Sequence, residues 1–175
     1  MIRKVSLLIT FILTITLICS CARYKREIES LATLIPDVKE LVHSNTDLLM
    51  DVQRLIADKE KVNGYIVISR KGDNTISLYR DMFRDDELLI ESDQFTDDEK
   101  TKIESIFYQS SGRVTLQDIA SGQFTFARVG RVSLRVLYLG ELSSKTVFSD
   151  DTESNLEEVI DGWYVVIIHP PRAGD

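Results

Sequence analysis

Cysteine is nearly absent from this chain, and its placement excludes a disulfide within the body of the protein. Only Cys19 and Cys21 occur, both at the end of the first apolar stretch of a 175-residue sequence. Everything after residue 21 must therefore be held by packing alone. Histidine is equally scarce. His43 and His169 lie far apart, and neither has a cysteine or histidine neighbour at metal-ligand spacing. The catalytic signatures are missing as well: no G-x-S-x-G, G-x-x-x-x-G-K-[ST], G-x-G-x-x-G, H-E-x-x-H or C-x-x-C occurs. These gaps argue against an enzyme and against a resident metal or cofactor. Basic charge is short too, with 21 Lys and Arg against 28 Asp and Glu. Without a net basic field there is no counterion release to drive nucleic-acid binding.

What the chain does have begins at residue 1. Arg3 and Lys4 precede an uncharged run from Val5 to Ile18. Fourteen residues fall short of the roughly 20 needed for a comfortable membrane span, but suit the apolar core of a secretory signal. The run ends Ile18-Cys19-Ser20-Cys21. An aliphatic residue at −3 and a small one at −1 before a cysteine resemble a bacterial lipobox. The resemblance implies a signal peptide over 1–21, cleavage before Cys21 and acylation of that cysteine. The protein is then a lipoprotein in the cell envelope, held on the extracytoplasmic side of a membrane by a lipid anchor. Two or three acyl chains hold a protein on a bilayer far better than one does. The remaining 154 residues, about one domain, carry 19 basic and 28 acidic residues, a net charge near −9.

Residues 22–27 read as a short charged tether and 28–62 as helical. Ile28, Leu31, Ile35, Val38, Val42, Asn45, Leu49, Val52 and Ile56 alternate at spacings of three and four, a heptad seam with one polar member. Pro36 interrupts it, leaving either one kinked helix or a second helix starting at the proline. Ser44 with Asp47 offers another start. The seam packs on its own domain in the favoured reading, giving a monomer; a parallel dimer is the alternative.

From 63 to 175 the pattern turns to α+β, forming one globular unit with the helical segment. Tyr65–Ser69 and Thr75–Arg80 read as a hairpin, and Leu88–Ile90 as a short third strand. Thr96 and Glu99 form a capping box for a helix whose apolar stripe is Ile103, Ile106 and Phe107. Ser110–Gly112 ends that helix, and Val114–Leu116 reads as a weak strand. A second hairpin joins Phe124–Ala127 to Val132–Tyr138. Residues 155–160 read as one or two helical turns. Gly162–His169 is the most apolar strand, which predicts a central position covered on both faces. The expected architecture is a long or kinked N-terminal helix on a mostly antiparallel sheet, with one or two further helices.

Two clusters invite chemistry. Asp151, Glu153, Asn155 and Glu157 are spaced like early calcium-loop ligands, but Leu156 stands where an EF-hand loop needs glycine, so no metal is assigned. Arg128, Arg131 and Arg135 stand out in an acidic chain, with Arg113 nearby in sequence. Converging beside Tyr138 and Trp163, they would hold a carboxylate through paired N–H donors.

The order of a long helix, two strands, a surface helix and further strands, closing on Gly162-Trp163-Tyr164-Val165-Val166, resembles extracytoplasmic Cache domains, a PAS-like sensor fold. That resemblance implies a sheet carrying a small-molecule pocket. The expected function is a non-catalytic ligand-binding or sensor-like module. The alternative is an acidic interaction or immunity lipoprotein with a protein partner. A cationic pocket favours the first and a flat acidic patch the second.

Overall fold

A computed structural model describes residues 22–71, 75–80, 86–120, 123–130, 132–139 and 156–168. The architecture is α+β: a bent N-terminal helical segment and one further helix lie against a large antiparallel sheet. Residues 22–32 form α1, so the stretch 22–27 is helical rather than a tether. Arg23–Glu27 and Lys25–Glu29 pair across one turn there, the spacing that supports a solvated helix.

The chain bends at Thr33–Leu34 and restarts as α2 (Ile35–Ser44), with Pro36 in its first turn. Proline is tolerated at that place because the first-turn N–H groups have no helical acceptor. A second break follows at Asn45, whose φ of −130° leaves the helical region. The Asn45 Nδ2 donates to the Leu41 carbonyl at 2.9 Å, and its N–H donates to that of Val42. The side chain therefore closes the end of α2. Helix α3 (Thr46–Asn63) begins without a side-chain cap, so Ser44 and Asp47 do not play the part that their spacing suggests. Leu31, Val38, Val42, Leu49, Val52 and Ile56 are all at most 1% exposed. The seam is buried within the single chain.

Strand β1 (Ile66–Arg70) pairs with β2 (Ile76–Arg80), and β2 with β3 (Asp86–Leu88). The third strand thus lies two residues before its expected place, and Leu89–Glu91 is a 3-10 turn. Helix α4 (Asp97–Phe107) carries the expected capping box: Thr96 N donates to Glu99 at 2.8 Å, and Glu99 N to the Thr96 hydroxyl at 3.3 Å. Ile103, Ile106 and Phe107 are buried. Lys59–Glu99 and Lys102–Asp51, each 2.9 Å, tie α4 to α3. Past the helix, Ser110–Ser111 (β4) and Val114–Thr115 (β5) make a small separate ladder.

Strand β6 (Asp118–Ala120) returns to β1, and β7 (Gln123–Val129), β8 (Val132–Tyr138), β9 (Leu156–Ile160) and β10 (Trp163–Ile168) complete the sheet. Its order is β3-β2-β1-β6-β7-β8-β10-β9. Two expectations change here. Residues 156–160 are a strand, not helical turns, and β10 lies one strand from the edge rather than at the centre. Its apolar run reflects burial on both faces without centrality: Val165 and Val166 point to opposite faces, and each is at most 1% exposed. Residues 151–155 of the considered calcium loop lie outside the described residues. Leu156 and Glu157 belong to β9, and Glu157 pairs with Lys39 of α2.

Candidate binding face of the sheet

Strand alternation sorts the side chains of this sheet into two faces. The helix-covered face carries Ile66, Ile68, Leu78, Ile119, Phe124, Leu134, Val136 and Val165, all buried in the main core. On the opposite face one row of cross-strand partners is polar, flanked by the apolar pair Val67 and Ala120 and by Leu137 and Val166. Ser69 of β1 stands opposite Asp118 of β6, Asp118 opposite Thr125 of β7, and Thr125 opposite Arg135 of β8. Arg128 stands opposite Ser133 on the same face, because a bulge between Thr125 and Ala127 resets the alternation along β7. A polar line thus crosses four strands.

Its members hold one another. The Asp118 carboxylate accepts from the Ser69 hydroxyl at 2.6 Å and pairs with Arg128 Nη2 at 2.6 Å. The carboxylate is largely buried, its side chain 12% exposed, whereas that of Arg128 is 55% exposed. Arg135 donates from Nε to the Ser133 hydroxyl at 2.9 Å, and from Nη1 to the Gln123 side-chain oxygen. Burial lowers the Arg135 guanidinium below its ordinary value, and the nearby Arg128 adds to the effect, while Tyr65 and Asp118 oppose it. The group stays charged regardless.

At the β1 and β7 end of this line lies a depression of about 580 Å³, lined by Ser69, Arg70, Lys71, Gln117, Asp118 and Arg128 among others. Arg70 is braced from behind: Nη1 donates to the Phe107 carbonyl at 3.0 Å, and the guanidinium sits 5.7 Å from the centre of the Tyr108 ring. Among the described residues no three His, Cys, Asp or Glu side chains come together as a metal site.

The expected ligand set is divided by the sheet. Arg128 and Arg135 do share one face, as the hairpin reading requires. Tyr138 and Trp163 are on the other. Trp163 is 1% exposed, and its ring centre lies 5.1 Å from that of Tyr138 and 5.7 Å from that of Phe124. The register explains the split. Trp163 pairs directly with Tyr138, three positions past Arg135 and therefore on the opposite face of β8. These aromatics are core, and the correction removes them from any site formed by the arginines. Arg131 and Cys21 lie outside the described residues. The sequence reading missed Ser69, Asp118, Gln123 and Ser133. Only Asp118 left a signal, the lone acid of Leu116–Ala120.

Among the described residues no helix is long and apolar enough to cross a membrane. Comparison of the chain with family models, curated proteins and solved structures gives no match.

Proposed function

We propose that this chain is a non-catalytic binding module, held on the extracytoplasmic side of a membrane by acyl chains on Cys21, that takes a small anionic ligand on the face of its sheet that carries the polar line. The observation that carries the ligand reading is the polar line, along which Arg128 and Arg135 stand with a single carboxylate, Asp118, among the described residues, in a chain whose net charge is −7. Local cation excess in an acidic protein gives an anion a preferred place to bind. A flat acidic patch would have supported the protein-partner reading instead. Support for the anchor comes from Ser20-Cys21 at the end of a short apolar run. A monomer is favoured because the heptad seam is consumed inside the chain.

The test is native mass spectrometry of the protein purified from its own host, before and after denaturation. A low-mass anion released on denaturation, and lost from an Arg128→Ala variant that still folds, is the expected result. A protein that carries nothing, and that binds no organic or inorganic anion when challenged, refutes the proposal.

A further inference from the structure

We infer that Arg135 anchors the polar line and that its guanidinium takes the carboxylate of a monoanionic organic ligand; the inference rests on the face that carries this line being the ligand face. Three features of Arg135 lead to it. First, it is half-buried on the polar line, yet no carboxylate pairs with it among the described residues. Both of its hydrogen bonds go to neutral oxygens, those of Ser133 and Gln123. Half-buried cations are ordinarily paired with a charge, so neutral partners on both bonds are informative. Second, the two bonds use Nε and Nη1, which leaves Nη2 with no acceptor among the described residues. They also hold the guanidinium plane in place, so little side-chain freedom remains to be lost on binding.

Third, the local charge sets the ligand class. Arg128 is already neutralised by Asp118 at 2.6 Å. The line Asp118, Arg128 and Arg135 therefore carries a single net positive charge. One carboxylate satisfies it, whereas a dianion such as phosphate leaves a charge uncompensated beside the largely buried Asp118 carboxylate. A planar carboxylate also matches the fork of a guanidinium better than it matches a lysine ammonium.

The experiment uses the full chain, isotopically labelled, in detergent micelles. Arginine Nε–H resonances are followed while sodium benzoate, sodium acetate and sodium phosphate are titrated separately at constant ionic strength. The expected result is saturable movement of the Arg135 resonance with the two carboxylates and a weaker response to phosphate. Arg135→Lys, which keeps the charge and loses the fork, should weaken benzoate binding about tenfold or more. Asp118→Asn, which releases Arg128, should turn the preference toward phosphate. Retention of benzoate affinity within about twofold in Arg135→Lys overturns the fork. Saturation by phosphate with no carboxylate response overturns the ligand class while leaving the binding-module reading intact. If no probe moves any resonance on this face, both fall. Should a variant fail to fold, the wild-type titration still decides among these outcomes.

Discussion

Gly130→Ala tests the joint between the sheet and the N-terminal helix. Gly130 turns the β7–β8 hairpin at φ +60°, in the left-handed region. For an alanine that conformation costs about 1–2 kcal/mol. A second cost comes from α1. A Cβ at this position would stand 2.5 Å from a carboxylate oxygen of Glu27. The obstacle is the end of a flexible side chain, so it moves rather than clashes rigidly. In moving it gives up the Arg23 contact at 3.1 Å, an exposed pair worth at most about 1 kcal/mol. The expected destabilisation is about 1.5–2.5 kcal/mol. In a domain of this size that is a fall of roughly 3–10 °C in Tm.

The assay is urea unfolding followed by the fluorescence of Trp163, the one tryptophan in the chain, which is buried in the core and reports its loss. A double-mutant cycle with Glu27→Ala separates the two costs. Backbone strain should survive in the Glu27→Ala background, while the steric share should vanish. If Gly130→Ala is neutral within about 0.3 kcal/mol in both backgrounds, neither the left-handed turn nor the close approach of α1 holds in solution.

Three further outcomes follow from named contacts. Cys21→Ser should remove acyl mass from the intact protein and shift it out of the detergent phase; wild-type protein with no acyl mass on Cys21 refutes the anchor. Burial pushes the Glu99 carboxyl up, but Lys59 and the Thr96 cap outweigh it, and the net direction is below the ordinary value of 4.5; its stabilisation is therefore present above that value and lost as pH falls through the lowered one. Glu99→Gln should flatten the acid limb of the stability profile below about pH 5, and an unchanged limb in urea melts from pH 6 to 3 would count against the pair. Asn45→Leu removes the Nδ2 bond to Leu41 O at 2.9 Å and should destabilise the monomer by about 1 kcal/mol without creating a dimer; sedimentation showing tighter self-association instead would assign the seam to a partner.

The helices were legible because their signals are local. The alternation from Ile28 to Ile56 names the buried face nearly residue for residue, and Thr96 with Glu99 marks the start of α4. Errors fall where local pattern and long-range pairing compete. Leu156–Ile160 contains two adjacent glutamates and scans as helical turns, yet it is drawn into the sheet by β10. Pairing at an edge can override propensity because the backbone bonds of the neighbouring strand are otherwise left open. The reverse error concerns β10 itself. Its apolar run states that both faces are buried, and burial on both faces does not require a place in the middle of the sheet.

The site was half legible, for a geometric reason. Four arginines within Arg113–Arg135 are visible in any reading of composition. Which face each occupies depends on parity along a strand, and parity along β7 changes at the bulge between Thr125 and Ala127. Were Phe126 paired in regular alternation, Arg128 would point into the helix-covered core, away from Asp118. With the bulge, the arginine reaches a carboxylate supplied by a strand too short to announce itself, three residues from Asp118 to Ala120. The same parity count along β8 separates Arg135 from Tyr138 and puts Trp163 into the core. The bulge at Phe126 therefore decides which charges share the binding face, and removing that residue should leave Arg128 opposite Ser133 and keep its pair with Asp118, the loss falling on the core that Phe126 fills.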